Sequence, residues 1–119
     1  MKKWVKSCKH ATNGILYLLK NERNFKIHTF CFMLVLVFSF FLHISLSEFI
    51  VVMLCSSVVF TAEAINTAIE KMLDEFHPEI KASIGLIKDI SASSVLIAAL
   101  FSAFIAAFIF IPKIIDILF

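Results

Sequence analysis

A chain of 119 residues has the length of one domain, yet 61% of it is apolar, with 14 Phe against two Gly and a mean hydropathy of +0.96. That composition excludes an ordinary water-soluble globular protein and no nucleic-acid partner is expected, while the formal net charge of +2 says little as a total and its distribution along the chain informs more. The three cysteines, Cys8, Cys31 and Cys55, have neither CxxC spacing nor an even count, so they read as small apolar residues and not as a disulfide framework.

The first element is an amphipathic helix over residues 2–20. Trp4, Cys8, Ala11, Ile15 and Leu18 or Leu19 fall on one face with lysines elsewhere, which suits a helix lying in the membrane interface. A cleavable signal peptide is the competing reading. It fits poorly, because basic and apolar residues are interleaved and no small-residue cleavage site follows. Residues 27–44 are then almost continuously apolar and form the first expected span. Ser45 and Glu48 make an S-x-x-E capping box, so a very short link leads into a second helix over 48–74. That helix runs through Glu63, Asn66 and Glu70 without Gly or Pro and extends into the cytosol. A polar connector from His77 to Asp89 precedes the third span, 88–111, whose apolar run Ile90–Ile111 is uncharged and ends at Pro112 and Lys113. The fold class expected is all-α and integral to the membrane, with three transmembrane helices and the interfacial helix.

Basic residues set the orientation. Lys2, Lys3, Lys6, Lys9, Lys20, Arg23 and Lys26 precede the first span, and Lys71, Lys81 and Lys88 lie between the second and third. Both segments are expected in the cytoplasm, with the N-terminus inside and the C-terminus outside.

Glu63, Asn66, Glu70 and Asp74 stand at i, i+3, i+7 and i+11, which places them on one stripe of the second helix. At about 1.5 Å per residue from Glu48, Glu63 falls within roughly 10 Å of the cytoplasmic edge of the hydrocarbon and Glu70 at that edge. An acid at such a depth costs about 2.5 to 3.5 kcal/mol on insertion scales, so it is retained for a task. The bland reading is that Glu63 and Asn66 join helices through hydrogen bonds and that Glu70 and Asp74 form a solvated face. Lys88 and Asp89, at the mouth of the third span, have their own bland reading as an interfacial anchor and a favourable charge near a helix start. Ser94, Ala98, Ser102 and Ala106, with Ala99, Ala103 and Ala107 beside them, permit close helix packing, and so small a bundle makes a homo-oligomer plausible. With Gly14 and Gly85 the only glycines, neither a P-loop nor a GxGxxG fingerprint exists, and His10, His28, His43 and His77 are too scattered for a zinc site.

The segment Glu63-Ala64-Ile65-Asn66-Thr67-Ala68-Ile69-Glu70, followed by Asp74, closely resembles the signature of the prokaryotic diacylglycerol kinase and undecaprenol kinase family. Asn21 to His28 and Lys88-Asp89 with Val95-Leu96 agree in order and spacing, so the resemblance covers nearly the whole chain. It implies a trimeric membrane enzyme that transfers the γ-phosphoryl group of ATP to a lipid hydroxyl with Mg2+. By position, Glu63 matches the general base and lipid contact, Asn66 a positioning residue, and Glu22 and Glu70 the metal- and nucleotide-binding glutamates. Lys88 and Asp89 match nucleotide contacts, and His10 and Ala92 occupy a nucleotide and a lipid position respectively. A poorly solvated carboxylate accepts a proton more readily than one in water, which suits such a base. Mg2+ suits two carboxylates plus phosphate oxygens.

Two departures stand out. The family often has Tyr where His10 stands, and its Ala-Ala-Gly-Ala run reads Ser91-Ala92-Ser93-Ser94 here. Asn24 and His28 resemble the undecaprenol type, which favours a polyprenol over diacylglycerol. The rival readings are a diacylglycerol kinase, a small proton-coupled transporter built on the intramembrane acid, and a non-catalytic membrane subunit.

Overall fold

A computed structural model describes residues 2–76 and 82–119; the connector containing His77, Pro78 and Lys81 lies outside the described residues. Four helices follow one another: α1 (Lys2–Asn21), α2 (Arg23–Phe41), α3 (Leu46–Phe76) and α4 (Ala82–Leu118). The described chain contains no strand, and α2, α3 and α4 are each long and apolar enough to cross a membrane. The protein is therefore an all-helical membrane protein. Its outward faces are apolar, as hydrocarbon solvent demands: Phe101, Phe104 and Phe108 of α4 are all largely exposed.

One extended residue separates α1 from α2. Glu22 (φ −97°, ψ 119°) occupies the N-cap position of α2 without a capping hydrogen bond from its side chain, which leaves the carboxylate available to other groups. Just beyond it Phe25 is buried against Phe60 of α3, ring centroids 5.2 Å apart, and Phe32 meets the same ring edge-on at 5.6 Å. These contacts rest the N-terminal half of α2 on α3. They also hold Glu22 beside α3.

α2 stops at Phe41, where His43 adopts a positive φ of 47° and reverses the chain. Histidine is among the residues that tolerate this conformation better than β-branched ones. The capping box forms as the sequence indicates: the Ser45 amide donates to Glu48 Oε2 at 2.6 Å, and the Glu48 amide donates to Ser45 Oγ at 3.3 Å. Lys113 of α4 pairs with the same Glu48 at 3.2 Å, tying that end of α4 to the start of α3. α4 continues through Pro112 to Leu118, beyond the span end expected at Pro112. A proline there removes one backbone bond, and its neighbours carry the helix on.

α3 and α4 pack antiparallel and form the main interface. Ser102 Oγ donates to the Cys55 carbonyl across it at 3.4 Å, and near the other end Lys88 of α4 is ion-paired with Asp74 of α3. Ala99, Ala103 and Ala106, part of the small-residue stripe, instead line an apolar groove of about 490 Å³ whose other walls include His28 and Phe32 of α2 and Val59 of α3.

Candidate functional site

The face of α3 that turns inward carries polar residues where a membrane helix normally carries apolar ones. Glu63 is 2% exposed, Asn66 4% and Thr67 4%, and one turn farther along Glu70 is half-buried. The 3.6-residue period puts them on one face, and Thr67 lines a groove shared with Ala11, Gly14 and Leu18 of α1.

Asn66 Nδ2 donates to Glu70 Oε1 at 3.0 Å, which orients both side chains. The rest of their hydrogen-bonding capacity is unused. Glu63 Oε2, Asn66 Oδ1 and Ser91 Oγ are buried without any partner among the described residues. An orphaned buried polar group costs roughly 1 to 3 kcal/mol, and folded proteins keep few of them. Three of them on facing helices mark a place built for something else to bind.

The break between α1 and α2 brings the Glu22 carboxylate to the stretch of α3 that carries Glu70 and Lys71. Glu22 already holds a positive group, Lys71 Nζ at 3.2 Å. Among the described residues no three His, Cys, Asp or Glu side chains are grouped closely enough to chelate a metal alone. Glu22 and Glu70 nevertheless fit Mg2+ in the form the ion usually takes beside nucleotides, with one or two carboxylates and the remaining ligands from phosphate and water.

The other sequence-identified residues are more dispersed. Lys88 reaches the far end of the acidic stripe through its ion pair with Asp74, one turn beyond Glu70. His10 on α1 and Asp89 and Ala92 on α4 are exposed, while Ser91, the neighbour of Ala92, is buried. Sequence reasoning missed three residues here: Lys71, Thr67 and Ser91. Lys71 lies off the acidic stripe of α3, and only the approach of the α1–α2 break reveals its partner. Thr67 stood inside the recognised motif, and its place beside Asn66 on the helix face was the available signal.

Acidic residues inside a span are costly and are a functional-site hypothesis by default. Residues 9–110 match the family model described as prokaryotic diacylglycerol kinase. The chain is 34% identical over 117 residues to the undecaprenol kinase of Bacillus subtilis (strain 168), covering 95% of this chain and 92% of that one. It is 29% identical over 117 residues to the diacylglycerol kinase of Synechocystis sp. (strain ATCC 27184 / PCC 6803 / Kazusa), covering 94% of this chain and 65% of the relative. No solved structure matches. With three apolar helices around this acidic site, the protein is a membrane lipid kinase, a phosphotransferase acting on an alcohol group. The transporter and non-catalytic alternatives are thereby set aside. The chain belongs to the prokaryotic diacylglycerol kinase family.

Proposed function

We propose that the protein transfers the γ-phosphoryl group of ATP to the hydroxyl of undecaprenol or a similar polyprenol, in preference to diacylglycerol. The observation that carries this reading is the polar face of α3, where Glu63 is buried and Asn66 donates to Glu70, with the Glu22 carboxylate held to the same stretch of the helix by Lys71. The polyprenol preference is supported by Asn24 and His28, and by the relative named undecaprenol kinase, most of whose length this chain covers.

Glu63, the most deeply buried acid, takes the proton from the lipid hydroxyl. The freed oxygen forms its bond to the γ-phosphorus as the bond from that phosphorus to the bridging oxygen breaks, and ADP leaves with the bridging oxygen. Asn66 holds Glu70 through the bond at 3.0 Å and so positions the reacting groups. Glu22 and Glu70 would hold Mg2+, which would offset the charge of the phosphate oxygens. Lys88 adds positive charge to the phosphates once it leaves Asp74, and Asp89 and His10 contact the nucleotide. Ala92 contacts the lipid. The enzyme works as a homotrimer in the bacterial plasma membrane, with its N-terminus cytoplasmic and its C-terminus external. Basic residues before α2 and between α3 and α4 support that orientation.

The test supplies purified protein in lipid bilayers with ATP, Mg2+ and either undecaprenol or diacylglycerol, and measures the phosphorylated lipid. A higher kcat/KM for undecaprenol is expected. Strong preference for diacylglycerol overturns the lipid assignment, and no phosphorylated lipid with either overturns the kinase reading.

A further inference from the structure

The serines of the spans differ in what they do with their hydroxyls. Ser39, Ser56, Ser57, Ser93, Ser94 and Ser102 each donate to a backbone carbonyl three or four residues earlier, at 2.7 to 2.8 Å. This is how a hydroxyl in hydrocarbon satisfies itself. Ser91 does not. It is 8% exposed, and its Oγ has no partner among the described residues.

Its height in the bundle can be read from two cross-helix contacts. In an antiparallel pair each step forward on α4 is a step back on α3. The Lys88–Asp74 contact therefore puts Ser91 level with residue 71, and the Ser102–Cys55 contact puts it level with residue 66. Ser91 thus stands beside the Asn66–Glu70 turn, where Asn66 Oδ1 is also without a partner. Glu63 lies deeper by roughly 5 to 10 Å along the helix. A lipid hydroxyl at Glu63 and a nucleotide arriving from the Glu70 end leave the Ser91 hydroxyl on the nucleotide's side of the reaction.

Building on the kinase reading above, we propose that Ser91 binds the transferring phosphoryl group, its Oγ–H donating to a non-bridging phosphate oxygen and keeping its proton throughout. Negative charge on those oxygens must be balanced while the phosphorus passes between two oxygens, and a fixed donor in a dry site does so without reorganising. A hydroxyl that has already satisfied itself on a carbonyl would first have to break that bond. Ser91 is poised because it has none to break.

The experiment compares the parent protein, Ser91→Ala and Ser91→Thr in bilayers, measuring kcat, the KM for the lipid alcohol and the melting temperature in detergent. Ser91→Ala is expected to lower kcat by about 10- to 100-fold, with lipid KM within about twofold of the parent. Its melting temperature should equal or exceed the parent's, since an unsatisfied buried group is gone. Ser91→Thr, which keeps the hydroxyl, should stay within about fivefold of parent turnover. Parent-like kcat in Ser91→Ala overturns the proposal, as does a rise in lipid KM alone or a loss of activity matched by a fall in melting temperature. A parent that phosphorylates no lipid defeats the kinase reading itself, whereas an active parent with an unaffected Ser91→Ala defeats only this inference.

Discussion

Replacing Glu63 by Gln separates chemistry from folding better than any other change in this protein. The two side chains have the same shape, so the packing around a residue that is only 2% exposed is kept. The substitution removes a carboxylate from a helix face that also carries Glu70. Glu70 lies seven residues along the same helix face, or about 10.5 Å along the axis, and at an effective dielectric of about 20 the repulsion between the two carboxylates is on the order of 1.6 kcal/mol. The variant should therefore be at least as stable as the parent, with an equal or higher melting temperature in detergent. Turnover should move the other way: losing a general base lowers it by about 10² to 10⁴, equivalent to a barrier increase of roughly 2.7 to 5.5 kcal/mol. Steady-state phosphorylation of the lipid alcohol, run beside a nucleotide-binding titration, should show lost turnover with retained ATP binding. Turnover within about threefold of the parent would refute the role of Glu63 as base, because no Gln side chain can replace it in that role. Lost activity together with lost stability would refute the electrostatic reasoning.

Other changes probe the rest of the site. Glu70→Ala removes both a metal carboxylate and the acceptor of the Asn66 bond, so a binding titration should show MgATP affinity falling by at least about tenfold. Lys71→Met removes the cation resting on Glu22. Because Lys71 is half exposed, the melting temperature should barely move, while direct titration should show tighter binding of the divalent ion to the vacated carboxylate. Ser45→Ala breaks the capping box of α3 at the end remote from Glu63 and should cost about 1 kcal/mol in unfolding measurements, with turnover of the folded protein unchanged.

Much of this architecture is written in local features. Long apolar runs must become helices where water is absent, and Ser45 with Glu48 marks the start of α3 because the box needs only residues three apart. The same holds for Glu63, Asn66 and Glu70, whose common face follows from helical period alone. What could not be read locally depends on how separate helices meet. Ser91, Ser93 and Ser94 look alike in sequence, yet only the α3–α4 register turns Ser91 inward and leaves Ser93 exposed. Lys71 meets Glu22 because Phe25 and Phe32 seat α2 on Phe60, a contact between distant segments. Pro112 resembles a stop signal, but nothing on its own helix forbids continuation once the N-terminal partner bond is given up. The three unpartnered polar atoms are likewise visible only in three dimensions.

If Glu63 and Glu70 serve a nucleotide, the Asp74 end of α3 must face the compartment that holds ATP. A variant with Cys8, Cys31 and Cys55 replaced by Ser, carrying either Asp74→Cys or Lys113→Cys, can be treated with a membrane-impermeant thiol reagent in intact cells and in inverted vesicles. Position 74 should react only in inverted vesicles and position 113 only in intact cells. Labelling of position 74 from outside intact cells would place the acidic stripe away from the nucleotide and contradict that orientation.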